Sequence, residues 1–226
     1  VYQLHINQLN SNQMAILATS NSSTTNFEPI EAGSYPARCY SMIHIGTVNE
    51  NFQGEIKTMN KVRITFELPT ELKVFKEENG EQPHVISKEF TLSLHEKATL
   101  RAFLKNWRGQ DFTEDEAKSF DIEKLIGAPC MLNITHKKSK DGTKTYAEIG
   151  SVSKLPKGLA CPDQINPSYV WTYENFDEVK FSKIPEFLRQ KMVTSFEYIH
   201  ATTVANEAPV YDAEVVSPGT DDDMPF

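Results

Sequence analysis

Lys61-Val62-Arg63-Ile64-Thr65-Phe66-Glu67-Leu68 alternates charged or polar residues with apolar ones at a period of two. Successive side chains on an extended chain point to opposite faces, so this run reads as a half-buried strand, with Val62, Ile64, Phe66 and Leu68 inward and Lys61 and Arg63 outward. Pro69, which has no N–H to give a ladder, is expected to end it. Before it lies a long β-rich stretch over residues 35–48. After it, beyond a loop containing Glu77-Glu78-Asn79-Gly80-Glu81, alternation resumes over residues 85–94 with Phe90, Leu92 and Leu94 on one face.

The period then changes. Within residues 95–108, Leu100, Phe103, Leu104 and Trp107 recur at three and four, the spacing of a helix, and Gly109 supplies its stop. That spacing puts Trp107 in the core in preference to a stacking patch with Arg101, Lys105 and Arg108. A second short helix is expected within residues 113–125. Residues 130–135 and 146–152 form two more strands, joined as a hairpin by Lys140-Asp141-Gly142-Thr143. Three strands, a helix and two strands, with a long first strand, is the element order of an OB-fold. That five-stranded barrel binds oligonucleotides on strands two and three and in its 1–2 and 4–5 loops.

The expected class is therefore all-β dominated with added α: a five-stranded OB barrel, a helix between strands 3 and 4, and a C-terminal helical appendage. The appendage begins with a Pro/Asn-rich segment carrying Trp171, Tyr173 and Phe176, of which Trp171 and Tyr173 are expected to pin it to the barrel. A helix over residues 184–200 follows, with Phe187, Leu188, Met192, Phe196 and Ile199. The chain divides into an N-terminal arm (1–28), the barrel (29–157), the appendage (158–200) and an acidic tail (201–226). The arm, with Ser20-Asn21-Ser22-Ser23-Thr24-Thr25-Asn26, is too poor in large apolar groups to repay ordering entropy. Met14-Ala15 makes a plausible alternative start, which would leave residues 1–13 as an addition.

Composition narrows the function classes. With 226 residues, 39% hydrophobic and 24% charged, the chain can bury a sizeable core. No stretch approaches the roughly 20 consecutive apolar residues of a membrane span, and the start lacks the basic-then-apolar order of a secretion signal. The protein is expected to be soluble and unexported, with no membrane partner. Cys39, Cys130 and Cys161 are widely spaced and odd in number, which suits a reducing compartment and a structural role. The formal net charge of −8 is unevenly placed. Glu207, Asp212, Glu214, Asp221, Asp222 and Asp223 lie in the last 26 residues without a Lys or Arg, leaving 25 acids against 23 bases in the body.

The strongest candidate site is the 4–5 hairpin, where Lys137, Lys138, Lys140 and Lys144 flank Tyr146. Lysines neutralise phosphates and release counterions, and an aromatic offers any base a stacking face, a combination that suits a single strand. Lys61 and Arg63 on strand two, Phe52 and Lys57 in the 1–2 loop, and Arg38 and Tyr40 on strand one extend the candidate track. Outward strand charges are ordinarily plain surface. Catalytic patterns are missing: Lys138-Ser139-Lys140-Asp141-Gly142 only superficially resembles the K-x-D-G nucleophile motif of polynucleotide ligases, with Ser139 where the lysine belongs. There is no Walker A, H-E-x-x-H or G-x-S-x-G sequence, and the six histidines have no ligand spacing to the cysteines. No enzyme activity, cofactor or metal is expected.

The sequence closes Asp221-Asp222-Asp223-Met224-Pro225-Phe226, acids followed by apolar anchors, which suits capture by a basic, apolar pocket on another protein. It resembles the acidic tip of bacterial single-stranded DNA-binding proteins, with Met224 in place of Ile. The body, over about residues 29–200, resembles instead the single-stranded DNA-binding proteins of tailed bacteriophages. That likeness rests on Pro29-Ile30-Glu31-Ala32-Gly33-Ser34-Tyr35-Pro36-Ala37-Arg38, on Gly46-Thr47, on the second strand through Pro69, on Ile184-Pro185-Glu186-Phe187 and on Ser195-Phe196-Glu197. The resemblance implies sequence-independent coating of single strands during phage DNA replication and recombination in the cytoplasm of a bacterial host, with replication and recombination proteins recruited through the tip. It supplies no contact residues. A single-strand annealing protein or recombination mediator, or a single-stranded RNA-binding OB protein, is the alternative.

Overall fold

The computed structural model describes residues 28–174 and 176–207, apart from the side chains of Phe52 and of residues 204–207. Its spine is β1 (Gly33–Phe52), which pairs antiparallel along most of its length with β2 (Glu55–Val74). β2 pairs in turn with β3 (Glu81–Thr91). The first residues of β1, Gly33 to Arg38, pair on their other edge with β4 (Pro129–Lys138), which pairs with β5 (Thr145–Ser153). The sheet is therefore mostly antiparallel, in the order β3-β2-β1-β4-β5. No ladder joins β3 to β5 among the described residues, but Lys88 of β3 donates from Nζ to the carbonyl of Ile149 on β5 at 2.8 Å. Three strands, helices and two strands follow one another as the periodicities require.

Inside the curved sheet lies one core. Val62, Ile64, Phe66 and Leu68 are buried there as their alternation demands, with Cys39, Met42, Phe90, Cys130, Leu132 and Ile134. α1 (Thr99–Arg108) adds Leu100, Phe103, Leu104 and Trp107, and Gly109 ends it in the left-handed conformation at φ 74°. The indole of Trp107 donates to the carbonyl of Pro129 at 3.0 Å, which satisfies its one polar atom in the core.

Three boundaries differ from the sequence reading, each for a local reason. Pro69 does not end β2: it falls where the β2–β3 ladder skips from Leu68 to Leu72, so its missing N–H breaks no bond there. β3 stops at Thr91, leaving Leu92 exposed and Leu94 partly buried against the core. The helix of residues 113–125 is two pieces, α2 (Glu114–Ser119), opened by a Thr113–Glu116 capping box, and a 3-10 turn at Ile122–Leu125.

The appendage departs further. A short strand, β6 (Tyr169–Trp171), runs parallel to β1 beside Ser41 to Ile43. A helix the periodicity does not announce, α3 (Glu178–Ser182), comes first, and the helix expected over residues 184–200 is two, α4 (Glu186–Met192) and α5 (Phe196–Glu207). Pro185 sits at the start of α4, and the Ser195 hydroxyl accepts from the N–H of Tyr198 to open α5. α5 runs on to Glu207, into the stretch assigned to the tail. These elements cover the outer face of β1, where Ile43, Ile45 and Val48 join Trp171, Phe181, Ile184, Leu188 and Met192 in a second core. β1 is thus buried on both faces. Bulges at Tyr40 and Ile45 let so long a strand twist between its partners. Gly46, at φ +93°, leaves room for α5: a Cβ there would lie 2.7 Å from that of Ser195.

No helix of the described residues is long and apolar enough to cross a membrane.

Candidate nucleic-acid interface

The β4–β5 hairpin extends past the sheet because its last rungs have no neighbour in β1: pairing with β1 begins at Ile134, and the hairpin continues to Lys138 and Thr145. Ser139, Asp141 and Thr143 hold the turn. The Asp141 carboxylate accepts from the Ser139 hydroxyl and from the N–H and hydroxyl of Thr143, at 3.2 and 2.8 Å for the latter two. Those bonds, the Ser139 hydroxyl first, hold its carboxyl below the usual carboxylate range. The Lys144 N–H closes the loop on Ser139 Oγ at 2.9 Å. In the run that resembles a ligase motif, then, serine and aspartate fasten a turn.

That rigid turn displays the lysines. Lys137 pairs directly across from Tyr146, so ammonium and ring share a face; the lysine side chain is 71% exposed and the tyrosine 53%. The one ion pair of Lys137 among the described residues is a loose 3.9 Å approach to Glu148. Lys138, Lys140 and Lys144 are exposed and make no ion pair among the described residues.

The cations of strand two have a different setting. Lys61 lies 2.6 Å from Glu50 and 3.8 Å from Glu89, and its side chain is only 13% exposed. Arg63 meets Glu89 at 3.3 Å and lies over the Phe187 ring of α4, 5.3 Å from its centroid. Lys191 of α4 reaches the same two carboxylates, at 2.9 Å for Glu89. Lys61 and Arg63 do point away from the first core, but into a lattice that docks α4. Tyr40 occupies the first bulge of β1 beside Arg63 and Glu67. Burial, then the Glu67 charge, pushes its phenol up.

Arg38 is committed elsewhere. Its guanidinium donates to the carbonyls of Pro162, Gly127 and Cys161 at 2.6, 2.9 and 3.1 Å. Its cross-strand neighbour Glu67 is fully buried and accepts from the backbone of Ile165 and Asn166 at 2.6 and 2.8 Å. Together they strap the segment after β5 onto the sheet. Lys57 lies near the β1–β2 turn, 3.6 Å from Glu55, and Phe52 ends β1. Since β4 runs away from the Gly33 end of β1, the hairpin tip and this turn lie at opposite ends of β1. The structure therefore does not gather the eleven candidates into one patch. It groups Lys137, Lys138, Lys140, Lys144 and Tyr146, and separately Tyr40, Lys61 and Arg63. Asp221, Asp222, Asp223, Met224, Pro225 and Phe226 lie outside the described residues.

The sequence reading counts Phe187 among the helix residues of the appendage, yet it is 58% exposed. Its signal is phase: Leu188 and Met192, four apart, face the second core, and Phe187 precedes that stripe by one.

Elsewhere, a groove of about 730 Å³ between β1 and α5 is lined by His44, Tyr173, Phe176, Phe196 and His200 with Glu174 and Glu197. Among the described residues it has no Lys or Arg in its lining to receive a phosphate. Among the described residues no three His, Cys, Asp or Glu side chains gather to hold a metal. Cys39 and Cys130 are buried, and burial pushes the Cys39 thiol up to about 12, far from reactive. Compared with protein-family models and with curated proteins, the chain matches none.

Proposed function

We propose that this chain is a non-enzymatic, sequence-tolerant single-stranded DNA-binding protein built on an OB barrel. The observation that carries the reading is the hairpin: Lys137 directly opposite Tyr146, with three further exposed lysines around a turn fixed by Asp141. An ammonium beside an exposed ring matches the repeating unit of a single strand, a phosphate next to a base. The barrel reading draws support from the strand order and from the bond between Lys88 and Ile149, which brings the ends of the open path together. The proposed setting is phage DNA replication or recombination in the bacterial cytoplasm. Asp221, Asp222, Asp223, Met224, Pro225 and Phe226 would recruit replication and recombination proteins.

Fluorescence titration with single-stranded, duplex and ribo-oligonucleotides at several salt concentrations tests the reading. Expected are tight, salt-dependent binding of single-stranded DNA with mild dependence on base composition, and weak binding of duplex. Preference for duplex or insensitivity to salt would overturn it. Preference for ribo-oligonucleotides, or rapid annealing of complementary strands, would favour the RNA-binding or mediator alternatives.

A further inference from the structure

An aromatic ring left in water needs a reason when the helix carrying it has a core to join. Phe187 lies on α4 beside Leu188, which is buried, yet its own ring is 58% exposed. A charged group lies over it: the Arg63 guanidinium is 5.3 Å from its centroid. A cation held over one ring face stiffens the side chain and leaves the rest of the ring open. Phe187 is thus an aromatic platform backed by an arginine, at the edge of the lattice that docks α4 on the sheet.

The lattice has a charge. Among the described residues, Lys61, Arg63 and Lys191 meet two carboxylates, Glu50 and Glu89, so three cations stand against two anions and one positive charge is left over. A net positive cluster beside an open aromatic face repeats the arrangement of the hairpin, built here from two distant parts of the chain. Because α4 covers the strand-two cations, a nucleic-acid strand reaching this side of the sheet meets α4 before it meets strand two.

We infer that α4 carries a nucleobase-stacking site, in which the exposed face of Phe187 takes one base of a bound single strand and the Lys61–Arg63–Lys191 cluster attracts the adjoining phosphate. The inference rests on the single-strand reading above and adds a contact on the appendage to those of the hairpin. Phe187 is the stacking residue; Arg63, held by Glu89, backs the ring and adds its charge to the cluster. Since every base has a π-face, the site is tolerant of sequence.

The test compares wild type, Phe187→Ala, Phe187→Leu and Phe187→Trp by titration with oligo(dT), oligo(dC) and oligo(dA). Thermal unfolding of each variant checks that the fold is kept. Stacking is expected to make Phe187→Ala and Phe187→Leu bind at least about fivefold more weakly to all three oligonucleotides, with the salt slope unchanged because no charge is removed. Phe187→Trp is expected to bind at least as well as wild type, with its added indole fluorescence quenched on saturation. Retention of affinity in folded Phe187→Ala and Phe187→Leu, with no quenching in Phe187→Trp, would overturn the inference and leave the hairpin reading standing. Failure of wild type itself to bind any of the oligonucleotides would overturn both readings.

Discussion

The hairpin lysines and the cations of strand two are the same kind of residue, basic side chains on a strand or beside it, and the fold treats them in opposite ways. Around the β4–β5 turn, Lys137, Lys138, Lys140 and Lys144 stand in water on a frame made by Asp141 and Ser139. On β2, Lys61 and Arg63 are held by Glu50 and Glu89 beneath α4. Period-two alternation tells which side of a sheet a residue faces. It does not tell whether another element lies on that side. The difference comes from β1, whose outer face is apolar at Ile43, Ile45 and Val48 and so demands a cover, whereas β5 at the hairpin presents no such stripe.

The contrast breaks most severely if the cover is removed. Trp171 is buried at the centre of the second core against Tyr173, Phe176 and Phe181. Trp171→Ala is expected to cost about 3–5 kcal/mol in urea unfolding and to expose the strand-two cations as the appendage loosens. A change below about 1 kcal/mol would mean that the appendage is not held as described. Next in size, Lys61→Ala leaves Glu50 with less compensation in a half-buried lattice and is expected to cost about 1–3 kcal/mol. By contrast, Lys137→Ala should stay within about 0.5 kcal/mol of wild type, since it removes only an exposed 3.9 Å approach to Glu148.

Acid and base sharpen the same comparison. Burial pushes the Glu50 carboxyl up, but hydrogen bonds from Lys191 and Lys61 outweigh it and hold the group below its usual range. Burial pushes Lys191 down, and the bonds to Glu50 and Glu89 outweigh that and raise it. A lowered carboxyl adds stability that is present above its unfolded pKa, about 4.3, and is lost as the pH falls through the folded value. A raised lysine adds stability that is full below about 10.4 and is lost as the pH rises through the folded value. The stability difference between wild type and Lys191→Met is therefore expected to be flat from about pH 5 to about pH 10 and to shrink on either side. A difference that stayed constant into acid would remove Glu50 from the lattice.

Local patterns made the central fold legible. The inward set Val62, Ile64, Phe66 and Leu68, the helix with Trp107 and its Gly109 stop, and the hairpin turn all stand where periodicity and turn chemistry put them. What sequence could not supply was long-range: nothing near Arg38 or Glu67 signals that residues 161–166 will strap across them. The split of the late helix was readable in principle from Ser195 at the start of α5, and α3 from Asp177 at its own start, but the three-to-four spacing of Leu188, Met192, Phe196 and Ile199 continues across the break and hid it. The candidate site was readable where the cations are local to one turn. It was misleading where the cations, paired by Glu50 and Glu89, are covered by α4, more than a hundred residues later in the chain.

The most direct test is the salt dependence of single-strand affinity in Lys137→Ala/Lys138→Ala/Lys140→Ala/Lys144→Ala compared with wild type, both checked for an unchanged unfolding midpoint. If the hairpin carries the strand, the variant binds more weakly across all base compositions, and its slope of log affinity against log salt is flattened by up to about 0.7 for each phosphate no longer neutralised. A folded variant whose affinity and salt slope match those of wild type would contradict a hairpin site.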